Sequence, residues 1–174
     1  NEVLEGIGAA AAEGIGPIKI NAVLMNGVND HEIMDLVHFA VERGFEMRFI
    51  EWMPTAGEIY SIRNDRFLSC ETAKAKIAEV YGLVPDDSNP HAPARTFRLK
   101  GTSSKVGFIS PLSNAFCAQC NRLRLKANGR MKTCLHGRED LDIRALLRGG
   151  WTPEATRERI ASVVFARPEE HSLN

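Results

Sequence analysis

A chain of 174 residues, 44% hydrophobic and 25% charged, has enough material for a buried core and the composition of an ordinary globular fold, which argues against disorder and fibre. Its 22 basic and 22 acidic residues cancel, so no global field draws it to nucleic acid or to an acidic membrane surface, and any cationic site must be local. No apolar run reaches the ~18 residues of a membrane-spanning helix.

The opening NEVLEGIGAAAAEG shows no initiator methionine, signal peptide or transit-type composition. It reads as a helix already under way, with Val3, Leu4, Ile7 and Ala10 or Ala11 on one face. A chain whose N-terminal partner is missing is therefore expected. PIKINAVLM, residues 17–25, is a strand in which Lys19 and Asn21 point to one side at period two. NGVND turns into a helix, with Asn29 or Asp30 as its cap and Glu32 in the first turn. HEIMDLVHFAVERG is that helix, amphipathic and closed by Gly44. EMRFIEWM, residues 46–53, is a second strand with Arg48 and Glu51 inside an apolar run. Strands and helices alternating on short connections make the grammar of a parallel sheet or a barrel wall.

The polar residues on these strands need a reason. Parallel strands are covered on both faces, so a buried lysine or arginine is costly unless it meets water or an anion. In a (β/α) barrel such positions face the lumen or its carboxyl-end mouth, where sites are built. A lone lysine can snorkel from a strand end, but Lys19 and Arg48 on successive strands point to one shared anionic ligand.

The second half changes character. Cys70 precedes the short helical pattern of ETAKAKIAEVYG, ended by Gly82, and reads as a partly buried helix-start residue. DDSNPHAPAR is loop, and TFRLKG and KVGFISP read as short antiparallel strands. RLRLKANGRMKTCL is a hairpin about Asn128-Gly129. DLDIRALLRGG and TPEATRERIASVVFA are helices, the second capped by Thr152 with Pro153 at its first position. The expected fold is α/β: part of an incomplete (β/α) TIM-type barrel over residues 1–66, then a small α+β region over 67–174 that carries the cysteines. An open strand edge in such a half-barrel invites pairing with a second copy, a homodimer.

Cys117, Cys120 and Cys134 follow a C-x2-C-x13-C spacing. With no secretory signal, clustered thiols indicate a reducing, cytoplasmic setting and metal ligation in preference to disulfides. The Asn-Gly turn folds Cys134 back toward the first pair. Zinc would take His136 or His91 as a fourth ligand, while an iron–sulfur cluster accepts three thiolates when its last iron binds water or a substrate atom. Spacing favours zinc modestly and does not decide. Arg122 and Arg124 alternate with Leu123 and Leu125 directly after the second cysteine, so both guanidinium groups leave one face of a strand and can grip a phosphate, carboxylate or purine edge.

FCAQCNRLRLKANGRMKTCLHG, with PIKINAVLMNGVND and MRFIEWMPTAG before it in order, resembles the GTP 3′,8-cyclases of molybdenum cofactor biosynthesis, a radical S-adenosylmethionine family. The resemblance covers nearly the whole chain. It implies that Cys117, Cys120 and Cys134 hold a 4Fe–4S cluster whose open iron meets the guanine of GTP, which replaces the zinc preference. It further implies that Arg122, Leu123 and Arg124 line GTP and that Lys19 reaches its phosphates, with Arg48 in the same pocket. Met53 would pack on S-adenosylmethionine, and Asn21 would face the same cavity. The implied product is (8S)-3′,8-cyclo-7,8-dihydroguanosine 5′-triphosphate, passed on to a cyclic pyranopterin monophosphate synthase. A second 4Fe–4S cluster, which generates the radical, would sit on a C-x3-C-x2-C motif that this chain lacks, as it lacks the family's terminal Gly-Gly. The expectation is a fragment inactive by itself. The competing reading is a zinc-stabilised nucleotide-binding module without catalysis; zero net charge and few aromatic residues count against nucleic acid.

Overall fold

The computed structural model describes residues 2–53, 66–86, 92–137 and 140–169. The chain falls into two compact units, one ending at Asn114 and the other resuming at Ala115.

In the first unit, helix α1 (Glu2–Ala12) precedes strand β1 (Lys19–Leu24), helix α2 (Ile33–Arg43), strand β2 (Glu46–Glu51), helix α3 (Cys70–Val80) and strands β3 (Leu83–Pro85), β4 (Arg95–Leu99) and β5 (Lys105–Ile109). The five strands make one mixed sheet in the order β1-β2-β5-β4-β3. β1, β2 and β5 run parallel, while β4 and β3 continue antiparallel from β5. The expected α/β alternation is present. KVGFI differs from its expected antiparallel pairing on one side: β5 lies parallel to β2 as well as antiparallel to β4. Period-two alternation is the same in both ladders, so the local pattern carries no direction.

That placement moves the boundary between the two parts of the chain. Residues 67–114, expected to open the second region, supply α3, β3, β4 and β5 to the first unit, which ends near Asn114 instead of 66.

Alternation divides the sheet into two faces. Leu24, Met47, Phe49, Val106 and Phe108 lie on one face and form the core with Val37 and Ala40 of α2 and Ala73 and Ile77 of α3. Full burial of Phe49, Leu24 or Met47 contributes about 2 kcal/mol each. Lys19, Asn21, Arg48 and Lys105 lie on the other face, away from these helices, because Lys19 pairs with Glu46 and Asn21 with Arg48 in register. Val3 and Leu4 of α1 are exposed, and Ile7 alone of its apolar face packs against the core.

The caps are partly as expected. Gly44 closes α2 in the left-handed region at φ 68°, and Ser69 caps α3 by accepting the Thr72 N–H. The N-cap of α2 is Glu32, with no side-chain bond, in place of Asn29 or Asp30. Asn29 is committed elsewhere: it accepts the Met25 N–H at 2.9 Å and donates to the Val23 carbonyl at 2.8 Å, stitching the turn to β1. α3 closes at Tyr81, one residue before Gly82.

The second unit holds a three-stranded antiparallel sheet, β6 (Arg124–Leu125), β7 (Arg130–Lys132) and β8 (Leu141–Asp142), followed by α4 (Ile143–Arg148) and α5 (Pro153–Phe165). Thr152 caps α5 with Pro153 in its first turn, as expected. No described helix is long and apolar enough to cross a membrane.

Candidate functional site

Cys117 and Cys120 bracket a single 3-10 turn, in which the Cys120 N–H donates to the Cys117 carbonyl at 3.1 Å. The chain then extends into β6, reverses at Asn128-Gly129 and returns as β7, ending two residues before Cys134. Gly129 makes this reversal possible: its φ is 81° and a Cβ there would stand 2.5 Å from the Arg144 Cβ. The Asn128 side chain accepts the Arg130 N–H at 3.1 Å. Beyond β7, Asp140 accepts from both the N–H and the hydroxyl of Thr133, at 2.6 and 2.7 Å, which closes the loop containing Cys134.

The three cysteines of the motif are free and half-buried. Among the described residues no three His, Cys, Asp or Glu side chains are grouped to hold a metal ion. The expected meeting of three sulfurs is therefore not formed. Thiols have little attraction for one another, and a ligand set is ordinarily gathered by the ion it binds. The donor set itself fits such an ion: three soft sulfur donors flank one hairpin. Continuing the ladder two residues past the Arg124–Lys132 pair would bring Cys134 opposite Arg122, close in sequence to Cys120. His136 is described and half-buried; His91 lies outside the described residues.

Arg122 and Arg124 are half-buried while Leu123 and Leu125 are exposed, and Arg124 lies on the face of the ladder opposite the buried Met131 and Leu141. The regular strand is shorter than expected, beginning only at Arg124. The Arg122 guanidinium lies 5.7 Å from the centre of the Phe116 ring, a cation–π contact that orients it. Arg124 stands directly across the ladder from Lys132. Lys132 is not among the residues the sequence singled out, because only the register shows which cation faces which.

The first unit carries the other expected anion ligands. Lys19 and Arg48 do share a face and a cleft of about 390 Å³, lined also by Glu46, Asp86, Thr96 and Lys105. This cleft lies at the amino end of the parallel strands, because Lys19, Glu46 and Lys105 each begin a strand. Of the two places expected, the lumen or its carboxyl-end mouth, the mouth is therefore not where these residues lie. Two of its cations are already paired: Arg48 with Glu46 at 2.6 Å and Lys105 with Asp86 at 2.5 Å. Asn21 is beside Arg48 in register but does not line the cleft. Met53 follows β2 at the opposite end, about 20 Å along the strand direction from the level of Lys19 at 3.3 Å per residue. The structure does not bring Lys19 and Met53 together.

At that carboxyl end sits a group the sequence did not single out as functional. Glu51 is fully buried and accepts the N–H groups of Cys70, Leu112 and Ser113 at 3.0–3.1 Å together with the Ser113 hydroxyl. Its partners lie far away in sequence, so no local signal could have found them. Burial pushes the neighbouring Cys70 thiol up to about 11, which makes it a poor nucleophile and a poor ligand. Cys70, expected to be partly buried at the start of a helix, is at the helix start but fully buried in the core.

The family described as Molybdenum Cofactor Synthesis C matches residues 45–173. The chain is 40% identical over 173 residues to the GTP 3′,8-cyclase of Alkaliphilus metalliredigens (strain QYMF), taking in 99% of this chain and 52% of the relative. It is 42% identical over 173 residues to the GTP 3′,8-cyclase of Moorella thermoacetica (strain ATCC 39073 / JCM 9320), covering 98% and 53%. With the GTP 3′,8-cyclase of Ectopseudomonas mendocina (strain ymp) it shares 39% over 172 residues, covering 98% and 52%. The chain spans about half the length of the curated relatives it matches.

Proposed function

We propose that this chain, which belongs to the Molybdenum Cofactor Synthesis C family, is the nucleotide-binding half of a GTP 3′,8-cyclase. The reaction would convert GTP to (8S)-3′,8-cyclo-7,8-dihydroguanosine 5′-triphosphate, the opening step of molybdenum cofactor synthesis, in the cytoplasm. What supports this reading is the half-burial of Arg122 and Arg124 at alternate positions of a segment that begins at Cys120, in a hairpin that also carries Cys117 and Cys134.

Cys117, Cys120 and Cys134 would hold a 4Fe–4S cluster, which would supply an open iron for the guanine of GTP. Around it, the chain's own residues bind and orient. Arg122, held over Phe116, and Arg124 offer planar forks to the nucleotide, and the backbone of Leu123 carries them. Lys19 and Arg48 would be anion ligands as well, the charge of Arg48 being already balanced by Glu46. Met53 and Asn21 would contact S-adenosylmethionine. The radical-generating 4Fe–4S cluster, the completing strands of a TIM-type barrel and the C-x3-C-x2-C motif belong, in this reading, to the other half of the longer enzyme. Any homodimer, and transfer of product to a cyclic pyranopterin monophosphate synthase, belong to that whole enzyme. The protein's share of catalysis is orientation and electrostatic complementarity, with cofactors carrying the hard chemistry.

The test is anaerobic reconstitution of this chain with iron and sulfide. A brown protein with broad thiolate-to-iron absorbance, lost in Cys117→Ser, Cys120→Ser or Cys134→Ser and kept in Cys70→Ser, supports the reading. A colourless protein that takes up one zinc through the same residues would replace it with the zinc-stabilised module.

A further inference from the structure

We propose that Lys132 is a phosphate-binding residue of the same site, acting with Arg124 across the β6–β7 ladder; this rests on the reading that the hairpin binds a nucleotide. Arg124 and Lys132 are directly paired in register and both half-buried. Like charges directly opposite on one face of an antiparallel ladder destabilise it. Partial removal from water strengthens their repulsion.

The nearby carboxylates among the described residues do not relieve it. Asp142 is opposite Arg130, pairs with it at 3.5 Å and caps α4 through the Ala145 N–H. Asp140 gives one oxygen to both the N–H and the hydroxyl of Thr133. Among the described residues positive charge on this face therefore exceeds negative, and a bound polyanion is the species that turns the repulsion into a binding contribution.

Lys132 is also positioned for that role. Its ammonium donates to the Leu135 carbonyl at 2.9 Å. An ammonium has three donors, so this bond fixes the side chain and leaves two for phosphate oxygens. Because Leu135 follows Cys134, the same lysine joins the anion site to the loop that carries the third thiol. Arg122 and Arg124 offer planar forks; Lys132 adds a compact point charge suited to a phosphate oxygen.

The test uses the reconstituted chain and titrates GTP and guanosine into wild type, Lys132→Gln, Lys132→Arg and Arg124→Ala. Lys132→Gln is expected to weaken GTP roughly tenfold, as loss of one charge-assisted contact does, with guanosine affinity and visible absorbance unchanged. Lys132→Arg should retain most GTP affinity. Without nucleotide at low salt, Lys132→Gln should melt no lower than wild type, because the variant relieves the repulsion from Arg124. Unchanged GTP affinity in Lys132→Gln, with loss in Arg124→Ala, would overturn this role while leaving the functional reading intact. Equal weakening of GTP and guanosine with loss of absorbance would show that Lys132 is only a strut for the Cys134 loop. Wild type that binds no GTP with its metal centre assembled would overturn the functional reading, and this proposal with it.

Discussion

Glu51 and Cys70 stand 19 residues apart, and the Glu51 carboxylate accepts the Cys70 backbone N–H at 3.0 Å. The bond joins the carboxyl end of β2 to the first turn of α3, where an anion meets both unsatisfied N–H groups and the positive end of the helix dipole. The other carboxylate oxygen takes the N–H groups of Leu112 and Ser113 after β5. One buried side chain thereby ties two parallel strands and the helix that covers them.

Replacing Glu51 with Gln keeps the shape and removes the fit. Whichever way the amide turns, its NH2 group faces N–H donors that now lack an acceptor. Glu51→Gln should lower stability by about 3 kcal/mol, read from urea unfolding. A loss below about 1 kcal/mol, the size of an ordinary substitution, would show that the clamp is dispensable.

Cys70 predicts an alkaline limb in the stability profile. Its thiol is raised from 9.0 to about 11, chiefly by burial, with the Glu51 charge adding and a hydrogen bond from Ser110 opposing. The folded state therefore favours the neutral thiol. Its contribution is complete below pH 9.0 and is lost between 9.0 and about 11, where the unfolded chain ionises first. The full span is worth roughly 3 kcal/mol. Urea midpoints taken upward from neutral pH should fall more steeply for wild type than for Cys70→Ala; parallel profiles would refute this linkage.

Gly129→Ala should disrupt the hairpin. The substitution places a side chain at φ 81° and against the Arg144 Cβ, costing about 2 kcal/mol. The variant is expected to unfold at lower urea and to retain less iron after reconstitution. Retention equal to wild type would separate hairpin geometry from ligation.

The amino-end cleft gives an unequal pair of cations. Lys19→Gln should weaken GTP binding, whereas Glu46→Gln should strengthen it by releasing the charge of Arg48. The double change Glu46→Gln with Arg48→Gln removes a neutral pair and should alter affinity by less than about threefold, the scale of a screened ion pair. Calorimetric titration with GTP checks all three. Indifference of affinity to Lys19 would place the phosphates elsewhere.

Local signals survived folding well. Gly44, Gly129, Thr152 and Pro153 do what their backbone chemistry dictates, and period two placed Lys19 and Arg48 on one face. What stayed hidden depended on register and distance. The pattern of KVGFI is equally compatible with a parallel or an antiparallel neighbour. The partners of Glu51 lie 19, 61 and 62 residues away. The basic run from Arg122 to Lys132 reads as equivalent charges until the ladder sets Lys132 against Arg124. Asn29, expected as a helix cap, bonded backward to β1 because the turn offered it two partners there.

β5 is made last among the five strands yet occupies the middle of their sheet. Until residues 105–109 emerge during synthesis, β1-β2 and β3-β4 are separate ribbons, each with a bare edge of unpaired N–H and carbonyl groups. Closing the β2–β5 pairing brings together segments far apart in the chain, an entropic cost that slows assembly. The nascent chain is therefore open to strand-swapping until its centre is filled, and the cysteine hairpin is synthesised only after that point. The order of the chain thus shortens the time that the three hairpin thiols share with an incomplete sheet.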